Sequence, residues 1–255
     1  MTGGLLVSLA LPALLVAAWQ ALGEAFGGVR MPLPSRVVVE GVALFASGEL
    51  PSAMLQSLGR VFSGFLIAAG LAIPLGILMG TVRAVERNLD PLVESFRPVA
   101  AIALLPMAIL WLGTGTPAAV MLVAYAAFFP ILVNTIAGAK SVDRNLVNAA
   151  ATMGLAPRAI LRNVILPGAV PQIAVGLRVG LGIAWTAIVA AELAVGAKSG
   201  GGGSGGIGQM MFVFYAYSIE LNRIVVCMAA VGVVSLALDW LVRRGTRRLL
   251  EWKAT

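Results

Sequence analysis

The amino-acid sequence predicts an all-α integral membrane protein with about six transmembrane helices. Hydrophobic residues make up 60% of the 255-residue chain and charged residues only 11%, and the mean hydropathy is +0.97. A soluble domain carries about 25% charged residues, so a chain of this composition could not cover itself with a polar surface. Since no long block of mixed polarity interrupts the pattern, we expect no separate soluble domain.

Six apolar segments are long enough to cross a hydrocarbon core of about 30 Å, which takes about 20 helical residues. The predicted spans are 4–22, 58–82, 98–113, 117–138, 168–196 and 223–242. The third is the shortest and contains Pro106, and a Gly-Thr-Gly-Thr-Pro turn over 113–117 should join it to the fourth as a hairpin. The first could imitate a signal peptide, but no basic stretch precedes it, which favours a retained helix.

Lysine and arginine are divided unevenly between the two sides of this arrangement. Twelve of the eighteen lie in one set of loops, over 83–97, 139–167 and the tail from Arg243. Cytoplasmic loops of membrane proteins carry the excess of positive charge. The bias therefore predicts that these loops and both termini are cytoplasmic, while 23–57, with a short amphipathic helix over 36–47, and the glycine-rich loop 199–206 are external. Whether that glycine-rich loop is native stays open.

The loop 139–167 is long for a membrane protein and has helical signals of its own. Asp143 is a suitable N-cap, Gly154 a suitable residue after a helix end, and Pro157 a suitable start for a second helix that Pro167 would close. Four residues of the first helix share one apolar face: Leu146, Ala149, Ala150 and Met153. An amphipathic helix of this kind can dock into a groove of a partner protein, or rest on the lipid surface.

The spacing in this loop resembles a known pattern. The run Asn148-Ala149-Ala150-x3-Gly154-x9-Val164-x-Leu166-Pro167 is similar to the EAA loop of ABC importer permeases, Glu-Ala-Ala-x3-Gly-x9-Ile-x-Leu-Pro. Every spacing agrees, whereas Asn148 replaces Glu and Val164 replaces Ile. The resemblance implies a type I importer permease fold in which this loop is a coupling helix that enters a cleft of an ATPase subunit. The residues implied in that contact are Leu146, Asn148, Ala149, Ala150, Met153, Gly154, Leu166 and Pro167.

Further stretches are similar to the subfamily that imports taurine, alkanesulfonates, nitrate and related solutes. They include Ser57-Leu58-Gly59-Arg60-x3-Gly64-Phe65, Pro74-Leu75-Gly76-x3-Gly80, Arg97-Pro98, Ala127-Phe128-Phe129-Pro130-x3-Asn134-Thr135 and Gly176-Leu177-Arg178-x6-Trp185-x6-Glu192. The resemblance covers most of 55–252 and implies a small anionic or zwitterionic solute. We therefore divide the chain into a permease core, 55–255, and a loosely matching N-terminal helix and connection, 1–54.

The resemblance also implies the partners. No Gly-x4-Gly-Lys-Ser/Thr phosphate-binding loop occurs in the sequence, so we expect no catalysis and no cofactor in this chain, with ATP and Mg held by a separate nucleotide-binding ATPase. A substrate-binding protein and a second permease chain, expected to be an identical copy, complete the assembly. The implied location is the cytoplasmic (inner) membrane of a bacterium.

A few charged and aromatic residues fall inside predicted spans, where they are costly and usually face a cavity or a partner. The candidates for the translocation path are Arg60, Arg178, Trp185 and Glu192. Arg60 and Glu192 both lie toward the outer ends of their spans and could instead form a structural ion pair. Arg178 could line an anion path or bind carbonyl groups at the inner face, and Trp185 could simply pack. The stripe Gly176-x3-Gly180-x3-Ala184 favours packing within the chain over a dimer contact.

Two other classes of protein compete with the importer hypothesis. A secondary transporter or channel would need an inverted repeat or interrupted helices, and neither is evident in the sequence. A membrane-embedded enzyme would need a set of reactive groups, but the chain has no histidine. The residues alone leave the solute, and the choice between a homodimer and a heterodimer, open.

Overall fold

The computed structural model describes residues 2–26, 31–198 and 205–250, and every regular element in these ranges is a helix. The α-helices in chain order are α1 Thr2–Ala25, α2 Pro34–Ala46, α3 Glu49–Thr81, α4 Arg83–Phe96, α5 Leu105–Leu112, α6 Thr116–Lys140, α7 Arg144–Thr152, α8 Pro157–Ile160, α9 Leu166–Lys198, α10 Ile207–Val213 and α11 Leu221–Leu250. A 3-10 turn precedes α5, and two π-helical turns follow α8 and α10. The predicted all-α fold is confirmed.

Four helices in the described ranges are long and apolar enough to cross a membrane. They are Glu49–Thr81, Thr116–Lys140, Pro157–Val195 and Leu221–Gly245. A bent pair, α4 with the segment Ala101–Leu112, would make a fifth span. Helix α1 has 24 residues, but only Ala13–Ala25 qualifies in the described ranges, as a shorter apolar helix. The total of six spans therefore stays a prediction that depends on α1.

The predicted third span, 98–113, is wrong as a continuous helix. Helix α4 and the segment Ala101–Leu112 meet at 85°, and α5 has only 8 residues, or about 12 Å of length. Pro98 has no N–H with which to continue α4, and Ala100 is extended, with φ −64° and ψ 131°. Helix α4 itself was not predicted, because its charged residues are typical of a loop between spans.

Helix α6 lies at the centre and packs along both α3 and α9. Glycines permit the close approach on each side: a Cβ added at Gly76 would lie 2.7 Å from Thr135 Cβ, and one at Gly180 would lie 2.8 Å from Ile131 Cγ1. A Cβ at Gly176 would likewise lie 2.7 Å from Asn134 Cβ. The glycine stripe of the fifth predicted span therefore packs within the chain, as the sequence analysis favoured.

Two shorter helices lie beside this three-helix core. The predicted amphipathic helix over 36–47 is confirmed as α2, which starts at Pro34 and packs against α11. Arg223 of α11 forms a salt bridge to Glu40 of α2, with 2.9 Å between Arg223 Nε and Glu40 Oε2. Helix α10, which the sequence analysis did not predict, packs mainly on α9. Most of the predicted glycine-rich loop, 199–204, lies outside the described residues.

Candidate functional site

The loop between α6 and α9 begins with a capped helix, as predicted. Asp143 precedes α7, and its Oδ1 accepts a hydrogen bond of 2.8 Å from the backbone N–H of Asn145. A carboxylate in this position satisfies one of the N–H groups that the first helical turn leaves without a partner. The predicted N-cap is confirmed.

The predicted end of this helix is confirmed as well. Gly154 has φ +79°, a left-handed conformation that costs a residue with a β-carbon about 1–2 kcal/mol. Its N–H donates to Ala151 O at 3.0 Å, while the N–H of Leu155 donates to Ala150 O at 3.2 Å. These two bonds form a Schellman motif, which satisfies the last carbonyl groups of α7.

Pro167 does not close a separate second helix, and that prediction is wrong. Helix α8 passes through the π-helical turn Leu161–Ile165 directly into α9, with the N–H of Leu166 donating to Leu161 O. A proline in a regular helix would crowd the carbonyl group four residues earlier, and the wider π turn just before Pro167 relieves that clash. The second half of the loop is therefore the continuous inner extension of α9.

Helix α7 presents an open apolar surface, which we call the α7 face and define by Leu146, Ala149 and Met153. Leu146 is 59% exposed and Met153 81% exposed, and Ala149 and Asn148 are exposed beside them. Ala150, on the inner edge of the same helix, is buried. Apolar side chains exposed together in this way are typical of a surface that a partner covers.

Arg60 and Glu192 form the ion pair that the sequence analysis considered. Arg60 Nη1 lies 2.7 Å from Glu192 Oε1, and the two side chains are only 5% and 2% exposed. Ser57 Oγ donates to the same carboxylate at 2.7–2.9 Å, and Arg60 Nε donates to Thr116 Oγ1 at 3.3 Å. Burial of a charged pair is tolerated only with such additional hydrogen bonds. The pairing is confirmed, and it joins α3, α6 and α9.

The start of α10 completes this group, which we call the buried polar cluster: Ser57, Arg60, Glu192 and residues 205–209. Arg60 Nη1 donates to Gly205 O at 2.7 Å, Ile207 N donates to Ser57 Oγ at 2.9 Å, and Gly208 N donates to Glu192 Oε2 at 3.0 Å. Gly206 has φ +109°, and a Cβ there would collide with the carboxylate of Glu192. The run of glycines before α10 was the available sequence signal for this contact.

The remaining path candidates occupy different surroundings. Trp185 is 2% exposed in the core, where its Nε1 donates to Val231 O at 3.2 Å. In this conformation Trp185, like Arg60 and Glu192, is buried inside the single chain.

Arg178 pairs with an acidic residue that the sequence analysis overlooked. Its Nε lies 2.6 Å from Oδ1 of Asp239 in α11, and Asp239 Oδ2 lies 2.6 Å from Nε of Arg243. Arg178 therefore binds a carboxylate rather than carbonyl groups. With Asp239 as its partner, Arg178 contributes less net positive charge to an anion path.

A wide groove of about 630 Å³ opens between the α4–α5 break, α6 and α9. Its polar lining residues are Arg97, Tyr125, Asn134 and Thr186. None of them was among the predicted site residues. The sequence signals that could have found them were the Arg97-Pro98 pair and a carboxamide inside a span.

Comparison with known proteins identifies the fold and the family. Residues 72–251 match the model of the family described as binding-protein-dependent transport system inner membrane component. The chain is 36% identical over 99% of its length to a protein of Methanocaldococcus jannaschii named as an ABC transporter permease, of which it covers 94%. It is 34% identical over 87% of its length to the taurine transport system permease protein of Escherichia coli, covering 80% of that chain. The nitrate import permease protein of Synechocystis is 34% identical over 89% of this chain and is covered to 82%.

Solved structures agree in fold. An inward-facing structure of the MetNI methionine ABC transporter has a TM-score of 0.66 with 19% sequence identity, over 78% of this chain and 95% of that one. The likeness spans the arrangement of long helices described above. The chain therefore belongs to the family of binding-protein-dependent transport system inner membrane components, the multi-pass membrane permeases of ABC importers.

Proposed function

We propose that the chain forms, with a second copy of itself, the membrane pathway of an ATP-driven importer for a small anionic or zwitterionic solute. Its similarity to permeases named for taurine and for nitrate supports this solute class. Both solutes carry a compact anionic group with several oxygen atoms. A substrate-binding protein would deliver the solute at the outer side.

The observation that carries the proposal is the exposed α7 face. It lies on a helix with capped ends and offers apolar side chains to a partner. After a short turn at Gly154, the chain continues from Pro157 through α8 into α9 without a break in the helix. A partner that moves α7 would therefore also move the inner end of a span. We assign this partner as the ATPase subunit, which would hold ATP and Mg, and we assign Asn148, Ala150, Gly154, Leu166 and Pro167 to the supporting structure around the contact.

The second copy is expected to face the groove side of α9, where Thr186 and Ala190 line the open groove. Two copies related by a two-fold axis would place both grooves along one central path.

The orientation and organisation of the chain follow the same proposal. The α7 face and both termini would be cytoplasmic in the inner membrane of a bacterium, and α10 would lie at the outer side. The core of the permease would comprise 55–255, with 1–54 as an N-terminal addition. The positive charge of the loop over 139–167, which includes Lys140, Arg144, Arg158 and Arg162, supports the cytoplasmic placement.

The test is to purify the chain together with a candidate ATPase subunit that copurifies with the wild type, and to change one exposed residue of the α7 face. Met153→Glu should abolish copurification and stimulated ATP hydrolysis, because a charge replaces an apolar contact. Met153→Leu, the matched control, should retain both. Since Met153 is 81% exposed, neither change should affect membrane insertion. Native mass spectrometry of the wild-type complex should find two permease chains. A Met153→Glu variant that still binds and stimulates the ATPase would contradict the assignment.

A further inference from the structure

The groove between the α4–α5 break, α6 and α9 is bordered by backbone that is not α-helical. Arg97 ends α4, Pro98 and Ala100 lie in the break, and a 3-10 turn starts at Ala101. Irregular backbone is tolerated at membrane depth only where protein buries it or where it lines a water-filled cavity. These residues line an open groove, so the groove is expected to be filled with water.

Arg97 is the only charged residue among the described residues that line this groove. Within the part of the chain that the structure describes, it takes part in no salt bridge, whereas Arg60 and Arg178 each bind a carboxylate. What distinguishes Arg97 from Arg87 of the same helix is its place in the groove wall.

Neighbouring polar groups hold this wall in position. Tyr125 of α6 donates its hydroxyl hydrogen to Phe96 O at 2.6 Å, which ties the residue just before Arg97 to the central helix. Asn134, nine residues further along α6, donates one amide N–H to Pro130 O at 2.8 Å. Its side chain has a second N–H and a carbonyl oxygen, so the groove combines one cation with a neutral hydrogen-bonding group.

We infer that this groove binds a small oxyanion in transit, with Arg97 as the residue that selects for negative charge and Asn134 as an additional hydrogen-bonding residue. The inference rests on the proposed function. A guanidinium presents a planar fork of N–H groups that matches the oxygens of a sulfonate, a nitrate or a carboxylate. A cavity of about 630 Å³ holds such an ion together with water, since ligand sites typically span about 300–1,000 Å³.

The transport test uses the complete complex in proteoliposomes, with taurine and nitrate as the probes. Arg97→Gln should lower uptake of the transported probe by about tenfold to a hundredfold, the range expected for a lost charged hydrogen bond. ATP hydrolysis stimulated by the loaded binding protein should stay within about twofold, because α7 is unchanged. Arg97→Lys should lose less uptake than Arg97→Gln, and Arg87→Gln should match the wild type. Unchanged uptake in Arg97→Gln would overturn the inference, and so would a parallel loss of uptake and hydrolysis.

A second measurement does not depend on transport. Cys227 is the only cysteine and is buried, so Thr186→Cys in a Cys227→Ala background places one reactive thiol in the groove. A sulfonate-bearing methanethiosulfonate should react faster than a trimethylammonium-bearing one, and adding Arg97→Gln should lower this rate ratio by about tenfold. A ratio that Arg97→Gln leaves unchanged would overturn the inference. If the wild-type complex transports neither probe, the proposed solute class fails, while the thiol reactivity still decides the charge of the groove.

Discussion

Arg60 and Glu192 show how a charged pair can be kept inside an apolar helix bundle. Their carboxylate and guanidinium groups have partners from three helices and from the backbone at the start of α10. No buried side-chain nitrogen or oxygen in the described residues lacks a hydrogen-bond partner. Because an isolated charge would be far more costly in this environment, the pair fixes the relative positions of α3, α9 and α10.

The Arg60–Glu192 pair is buried, whereas the Arg178–Asp239 pair is partly exposed. Removing one arginine should therefore lower the stability of the protein by different amounts. Arg60→Met should reduce the free energy of unfolding by about 3–5 kcal/mol, because it leaves the buried carboxylate of Glu192 without its counter-charge. Arg178→Met should cost far less, since the pair with Asp239 is about 40% exposed and Asp239 keeps Arg243 as a second cationic partner. Unfolding titrations of the purified protein in mixed micelles would measure both.

The double variant Arg60→Met/Glu192→Met serves as the control for this comparison. It should recover part of the stability that Arg60→Met loses, because no buried charge then remains unpaired. Equal losses for Arg60→Met and Arg178→Met, or a double variant that is no better than Arg60→Met, would show that the pair does not act as described.

At the scale of the elements, helix α9 uses its two sides differently. One side carries Gly176 and Gly180 into close contact with α6, where an added Cβ has no room. The other carries Gly182, where an added Cβ would meet nothing within 4 Å. In a lipid environment helix association depends on such close packing rather than on the hydrophobic effect, so α6 and α9 owe their contact to the first side.

Two glycine substitutions two positions apart test this division. Gly180→Ala should destabilise the fold by about 1–3 kcal/mol, because the new methyl group overpacks the contact with Ile131. Gly182→Ala should be neutral or should stabilise α9 by up to about 1 kcal/mol through helix propensity. The same unfolding titration measures both, and a Gly182→Ala variant as unstable as Gly180→Ala would contradict the assignment of the two faces.

For the whole molecule, α9 connects the α7 face, the groove and the buried polar cluster. Its inner extension through α8 leads to the α7 face, Thr186 near its middle lines the groove, and Glu192 near its far end holds the start of α10. Its 33 residues extend about 50 Å. A movement of α7 can therefore reach both the groove and the buried polar cluster through one continuous helix.

Membrane orientation provides a prediction at this scale. In a Cys227→Ala background, Met153→Cys and Tyr215→Cys should be labelled from opposite sides, since both positions are well exposed and lie in connections on opposite sides of the predicted topology. A membrane-impermeant maleimide added to intact cells should label Tyr215→Cys and not Met153→Cys. Permeabilised cells that express the permease without its ATPase, as the control, should show labelling of both. The reverse pattern in intact cells would invert the proposed orientation.

Local sequence signals account for the parts of this fold that depend on near neighbours. The length of the apolar segments predicted the spans that became α3, α6, α9 and α11. The capping residues Asp143 and Gly154 predicted the two ends of α7, because a cap depends on residues only a few positions away. Even the pairing of Arg60 with Glu192 was accessible, since two opposite charges near the same end of two spans have few other partners.

The remaining features depend on contacts between residues far apart in the chain. The break at Arg97-Pro98 forms a groove wall because α6 and α9 lie beside it. The start of α10 is held by Ser57 and Glu192, which are distant from it in sequence. Asp239 lies 61 residues from Arg178 in the sequence, and only the packing of α11 on α9 brings the two side chains together. Such positions are set by which helices pack together, and in this protein small residues on α3, α6 and α9 make that packing possible at distances that no local pattern specifies.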